Sequence, residues 1–392
     1  MNQQPYATPP QSWNSRMTPW MVRAWAPLMR REMYRVAKIS QVEVRGAEIV
    51  RDAIASGAGV MVTPNHSFHY DSYVLGHAAL QAGRPFHFLT AWQVFAMSTP
   101  FQRWVMQRHG CFSIDRESAD LGAFKRSVEI LRSHACPLAI FPEGDIYHTN
   151  DRVMPFREGA AAIALSAAKR ADRPIVAIPA AIRCAYIDDP TDGLLDLMSR
   201  LESAVHWRPR PDLPLTARIY RFAEGMLALK ELEYLGQPQT GSVPERTKSL
   251  AHRILEEKER RFGIAPDSAS IPERVKELRR QFIQRLERPD LDAESHGQLK
   301  RDMEDLFLVI QLYSYPGDYV AENPTIERIA ETLDKFEEDV LRVTYPNSRG
   351  RRRATVQFGP PIPISAERNA RNSVAMLTTE LEQSVQSLLN HD

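Results

Sequence analysis

The chain has 392 residues, 43% of them hydrophobic and 25% charged, which is too long for one ordinary domain and too balanced for a disordered, fibrous or multi-span membrane protein. Fifty Lys and Arg against 49 Asp and Glu leave a formal net charge of +1, so there is no global pull toward nucleic acid. Cys111, Cys136 and Cys184 are odd in number and far apart, which fits reduced thiols better than a metal-ligand pair or a disulfide framework.

Residues 1–16 are polar and proline-bearing and are expected to form a loose arm, with no secretory signal. Over residues 17–38, apolar side chains recur at helical spacing among arginines, and this predicts an amphipathic helix. Such a helix either packs on the domain with its arginines solvated or lies flat on an anionic membrane, touching it through Trp20, Met21, Arg23, Trp25, Arg30 and Arg31. The longest apolar runs, 174–182 and 306–315, fall well short of the roughly 20 residues that a membrane-spanning helix needs.

From 41 to 185 short apolar runs alternate with helical stretches. Strands are expected at 42–44, 59–63, 86–90, 111–114, 138–141 and 175–179, and helices at 72–82, 94–107, 119–133 and 156–171. This alternation predicts an α/β fold with a largely parallel central sheet flanked by helices, and places the chemistry in loops at the carboxyl ends of strands. Residues 186–345 lack strand-like runs and are rich in Glu, Arg, Leu and Lys, so they read as a helical insertion. A strand at 354–358 and a closing helix at 365–389 finish the chain.

Three segments carry reactive side chains where a strand hands over to a helix. In Asn65-His66-Ser67-Phe68-His69-Tyr70-Asp71, His66 and Asp71 would stand about 140° apart on a continuous helix, so a loop is needed to join them. A carboxylate on one imidazole nitrogen frees the other to take a proton from a hydroxyl. A loop His beside a helix-capping Asp is the simpler alternative. In Phe141-Pro142-Glu143-Gly144, Glu143 is expected to face a polar cleft or a cation, and Gly144 lets backbone approach a ligand. In Gly110 to Arg116, the fork of Arg116 suits a phosphate, or a surface ion pair. A zinc cluster of His66, His69, Asp71 and His77 fits poorly, because Ser67 and Ser72 stand where further histidines would be needed.

In this order the segments resemble the glycerolipid acyltransferase superfamily, marked by Asn-His, four residues, then Asp, by Gly-apolar-Arg and by Phe-Pro-Glu-Gly. The resemblance also takes in 156–161, 176–179 and 358–362, so it covers roughly 40–185 and 354–364. It implies one acyltransferase domain formed by 39–185 with 346–392, interrupted by 186–345. The implied reaction is fatty acyl transfer from acyl-CoA or acyl carrier protein to a hydroxyl of a glycerol-phosphate or lysophospholipid acceptor, with no cofactor, metal or nucleic acid. His66 would be the general base and Asp71 its orienting partner, with Asn65, Arg116, Phe141, Pro142, Glu143 and Gly144 binding substrate. The resemblance also implies a peripheral enzyme on the cytoplasmic side of a bilayer. A non-catalytic lipid-binding or scaffold protein is the alternative. The Thr-Arg-Ser that commonly follows Phe-Pro-Glu-Gly is replaced by Asp145-Ile146-Tyr147, which removes a phosphate-binding Arg that Arg152 or Arg157 would have to replace.

Overall fold

The structure is a computed structural model that describes residues 10–116, 120–265, 270–365 and 373–390. The described chain divides into two compact units, one built from residues 10–115, 120–190 and 345–390 and the other from Arg116 and residues 191–344.

The first unit is an α/β layer structure. Its strands are β1 (Ile39–Arg45), β2 (Gly59–Pro64), β3 (His87–Ala91), β4 (Cys111–Ile114), β5 (Leu138–Ala139), β6 (Ile175–Tyr186), β7 (Arg352–Phe358) and β8 (Ile362–Ile364). They form one sheet in the order β1-β7-β6-β2-β5-β3-β4, with β8 on β6. Most neighbours are parallel; β6 meets β7 and β8 antiparallel. β2 is buried along its whole length, which is why it reads as an unbroken apolar run rather than an alternating one. Helices α1 (Pro19–Ala37), α2 (Ala47–Ala55) and α3 (Asp71–Gln81) join one core layer, through side chains such as Met33, Val50 and Leu75. The opposite layer holds α6 (Leu121–Ser133), α7 (Gly159–Ala168) and α15 (Ser373–Asn390), through Leu131, Ile163 and Leu381.

The expected single helix over 94–107 is two, α4 (Trp92–Met97) and α5 (Pro100–Arg108). Thr99 and Gln102 form a reciprocal capping box, with Pro100 pre-set for the first turn, and this starts a new helix where the old one stops. The arm is not loose over its described part. Trp13 donates its N–H to Ser113 Oγ at 2.7 Å and accepts the Ser113 N–H at 2.9 Å, and its ring stacks on Phe95 at 5.2 Å. This strap covers the edge strand β4, whose backbone would otherwise offer a template for foreign strands. Residues 1–9 lie outside the described residues. In α1, Trp20, Arg23, Arg30 and Arg31 are exposed and Trp25 is half-buried, but Met21 is 4% exposed. Met21 faces the domain, so its assignment to a membrane surface is corrected.

The second unit is helical: α8 (Thr191–Ala204), α9 (Leu215–Leu235), α10 (Val243–Phe262), α11 (Ile271–Leu286), α12 (Ala293–Tyr313), α13 (Tyr319–Glu322) and α14 (Ile326–Leu341). Its apolar core runs through Leu250, Leu278 and Leu306. Buried charges there are paired, as with Arg218 on Glu202 at 2.7 Å and Arg274 on Glu259 at 2.7 Å, which removes the large penalty of an isolated buried ion.

Helix α6 crosses β2 at Gly59, where an added methyl group would collide with the Leu131 carbonyl oxygen and the Ile175 side chain. Both are fixed, one by the helix and the other by the core, so the site cannot relax cheaply. Gly59→Ala is expected to cost about 1–3 kcal/mol, read as a lower urea midpoint with unchanged slope.

Candidate active site

β2 and β5 are adjacent parallel strands, and both end at the same edge of the sheet. The segment after β2 carries Asn65 to Asp71, and the segment after β5 carries Phe141 to Gly144. Topology alone therefore places two of the three sequence blocks side by side.

Asp71 opens α3 and turns its carboxylate back onto the preceding loop. Its Oδ2 accepts the N–H of Ser67 at 2.7 Å, the N–H of Phe68 at 2.8 Å and His66 Nδ1 at 2.9 Å. The loop is wrapped around this one oxygen. It solves the geometry that a straight helix could not, since five residues are folded back until imidazole and carboxylate touch. The carboxylate can only accept, so Nδ1 carries the proton toward it and Nε2 is left as the basic nitrogen. Asp71 is 1% exposed and His66 18%, so the pair is anchored inside with its imidazole reaching the surface. Phe141 lies over the imidazole with ring centroids 4.2 Å apart, fixing its plane.

Glu143 departs from expectation. It is 2% exposed, and its partners among the described residues are two backbone N–H groups rather than a cation, His66 at 2.7 Å and Met154 at 3.2 Å. It thus ties the His66 loop to the segment beyond β5. Burial pushes its carboxyl well above the usual range, with the Asp71 and Glu382 carboxyls adding to the rise, while the two N–H donors oppose it.

Asn65 is fully buried, and its amide faces β6. Its Nδ2 donates to the Ile182 carbonyl at 2.9 Å, and its Oδ1 accepts the Ile182 N–H at 2.7 Å. Asn150 does the same one step further along, on Cys184, with both bonds at 2.7 Å. The two side-chain amides continue the ladder along β6 where β2 has stopped. Sequence reasoning missed Asn150; its only signal was a lone carboxamide in a turn-rich run after a strand. Ser67 links the two loops, since its hydroxyl donates to the Thr149 carbonyl at 3.1 Å.

Pro142 is buried and its carbonyl accepts the Arg157 N–H at 2.8 Å. Gly144 has φ +73°, and a Cβ there would stand 2.5 Å from Arg157 Nε, so glycine is needed both for the turn and for the guanidinium seated on it. That Nε is buried and has no hydrogen-bond partner among the described residues. Arg116 stands two residues past β4 and groups with the helical unit. His66, Asp71, Asn65, Phe141, Pro142, Glu143 and Gly144 are brought together.

No curated protein matches the chain. Residues 41–183 match the family model described as Acyltransferase, a span that contains the His66–Asp71 pair and the Phe141–Gly144 turn. Residues 41–183 therefore belong to the acyltransferase family, of the glycerolipid acyltransferase type that the motifs resemble.

Proposed function

We propose that the protein transfers a fatty acyl group from a thioester to a hydroxyl of a glycerol-phosphate or lysophospholipid-type acceptor. The observation that carries this reading is the His66–Asp71 contact at 2.9 Å, made in the acyltransferase-family span with Nε2 left as the basic nitrogen. In the reaction, Nε2 of His66 takes the acceptor's hydroxyl proton as the oxygen attacks the thioester carbonyl. The C–S bond then breaks, and the imidazolium returns its proton to the departing thiolate of acyl-CoA or acyl carrier protein. Protons and electron pairs balance with no covalent acyl-enzyme, no metal and no cofactor. Asn65 and Glu143 act by positioning the loops, since both spend their polar atoms on backbone.

The acceptor's anionic group is assigned to Arg157. Its guanidinium rests on the Gly144 turn, beside the Phe141 that packs on His66, and it supplies the charge lost with the usual Thr-Arg-Ser. The fork geometry suits a phosphate. Because such substrates live in a bilayer, the reading includes peripheral attachment to the cytoplasmic face of a membrane through α1, whose solvent side presents Trp20, Leu28 and four arginines.

The deciding assay incubates the protein with acyl-CoA or acyl carrier protein and a panel of lysolipids and glycerol phosphates, and follows radiolabelled acyl transfer. His66→Ala and Asp71→Asn are each expected to lower kcat by about 10²–10⁴-fold with the fold intact. A parent protein that binds lysolipid but turns over nothing on the panel would instead mark a lipid-binding or scaffold member of the fold, and equal rates for His66→Ala would remove the base mechanism.

Within the same panel, Arg157→Gln is expected to raise KM about tenfold for acceptors bearing phosphate, while leaving KM for an uncharged monoacylglycerol unchanged. An equal effect on both acceptors would assign Arg157 to turn geometry alone.

Glu143 gives a pH signature. Its folded carboxyl titrates above its ordinary value of 4.5, so the native state holds a proton that the unfolded chain has released. The associated stability is fully present below 4.5 and is lost as pH rises toward the folded value. Glu143→Gln removes this titration. The parent's excess in Tm over the variant is therefore expected to shrink as pH rises from 4.5, measured by calorimetry in parallel buffers.

A further inference from the structure

Helices α1 and α5 lie side by side. Their ends are joined by backbone bonds, Arg16 N–H to the Gln107 carbonyl at 2.9 Å and Thr18 N–H to the Arg108 carbonyl at 3.0 Å. Trp25 sits between them, 6.3 Å from Phe101 and 6.4 Å from Trp104, and these two rings are stacked at 5.9 Å. Around this half-buried centre the apolar surface is open. Trp20 is 70% exposed and Phe101 62%, and Leu28, Met97 and Trp104 are exposed as well. Trp25, Phe101 and Trp104 form a contiguous aromatic cluster, and its exposed part is costly in water, unlike scattered single side chains.

The charge around it is one-sided. The two helices carry six arginines against one acid, Glu32, which is paired with Arg35 at 2.6 Å. Arg103 and Arg108 are part-buried and bonded to the Phe95 and Ala96 carbonyls and to Thr18 Oγ1, and Arg23 donates to the Gly83 carbonyl, so the exposed charge rests chiefly on Arg30 and Arg31 of α1. Exposed Trp and Phe beside arginines on a pair of surface helices are the elements that an anionic lipid interface rewards: rings sink to headgroup depth, while guanidinium groups stay at the phosphates. Such a surface accepts a flat, positively charged face without requiring a shaped counterpart.

The patch also faces the correct edge. α4 leaves the carboxyl end of β3, and β3 lies two strands from β2, about 10 Å away at normal strand spacing. Met97 and Phe101 therefore stand toward the sheet edge that carries His66. β1 runs antiparallel to β2, so α1, which feeds directly into β1, also ends at that edge.

We infer that α5, and not α1 alone, docks on the bilayer: the two helices form one rigid platform for anionic lipid, with Phe101 and Trp104 inserting alongside Trp20. This deepens the membrane attachment in the proposed function and rests on it. The platform is held to the domain by Met21 and Met33 beneath α1, so it engages the membrane as a unit rather than as a detachable helix.

The test is co-sedimentation of the full chain with vesicles of phosphatidylcholine, with and without phosphatidylglycerol. The parent is expected to pellet with phosphatidylglycerol vesicles, and less so in high salt. Phe101→Ser with Trp104→Ser on α5, and Arg30→Gln with Arg31→Gln on α1, are each expected to lower partitioning about tenfold. These side chains are exposed or at the patch surface, and unchanged urea midpoints together with unchanged turnover on a water-soluble acceptor check that fold and site persist. If the α5 pair pellets like the parent while the α1 pair does not, the platform is overturned and attachment by α1 alone stands. If the parent ignores vesicles, or self-associates through this face in sedimentation velocity, membrane docking falls altogether, whatever the acyl-transfer assay gives.

Discussion

Backbone polar groups must be satisfied where strands of unequal length end inside a protein, and the candidate site is built on that constraint. β6 runs to Tyr186, but its pairing with β2 stops at Ala180 opposite Pro64. Beyond that point its inner edge still presents the N–H and C=O of Ile182 and Cys184 in a buried place, and each unmet group there would cost about 1–3 kcal/mol. Asn65 and Asn150 meet these groups with side-chain amides. Two loops are fastened to the end of the sheet as a result, one carrying His66 and the other lying beneath it. Glu143 and Ser67 then stitch the loops together. The imidazole is held by packing and hydrogen bonds laid down for the backbone's sake, and this fixes the His66–Asp71 pair in one geometry, as the proposed base mechanism requires.

How much of this was legible in the sequence depended on whether a signal was local. The apolar runs of β2 and β4 and the amphipathic pattern of α1 declare themselves over a few residues. The spacing of His66 and Asp71 showed that a loop was needed, although not that three donors would converge on one carboxylate oxygen. The break between α4 and α5 was written in Thr99-Pro100-Gln102 but masked by continuous helical periodicity across it. The sequence shows that Glu143 is hard to bury unpaired and points to a polar cleft or a cation as its surroundings. Its partners are backbone N–H groups of His66 and Met154, which have no sequence signature. Asn150 was invisible for a similar reason, because its partner lies 34 residues away on a strand longer than the apolar run suggested. Met21 and Trp20 are neighbours in an arginine-rich helix, and only the packing of α1 on the domain separates the inward side chain from the outward one.

The same edge of the sheet sets the chemistry and the direction from which substrate would approach. A base that takes a proton from a lipid-borne hydroxyl needs the hydroxyl to arrive with its headgroup oriented and its chains left behind in the bilayer. An imidazole 18% exposed at a strand end, with a guanidinium seated on the adjacent turn, suits a headgroup presented from outside better than a molecule swallowed whole. Helices attached beside that edge, apolar and positive on their open side, would hold the membrane surface near the imidazole, so that the acceptor needs only a short excursion to reach Nε2. Effective concentration would then come in part from geometry, with the lipid surface supplying some of the binding that a soluble enzyme would have to build from its own side chains.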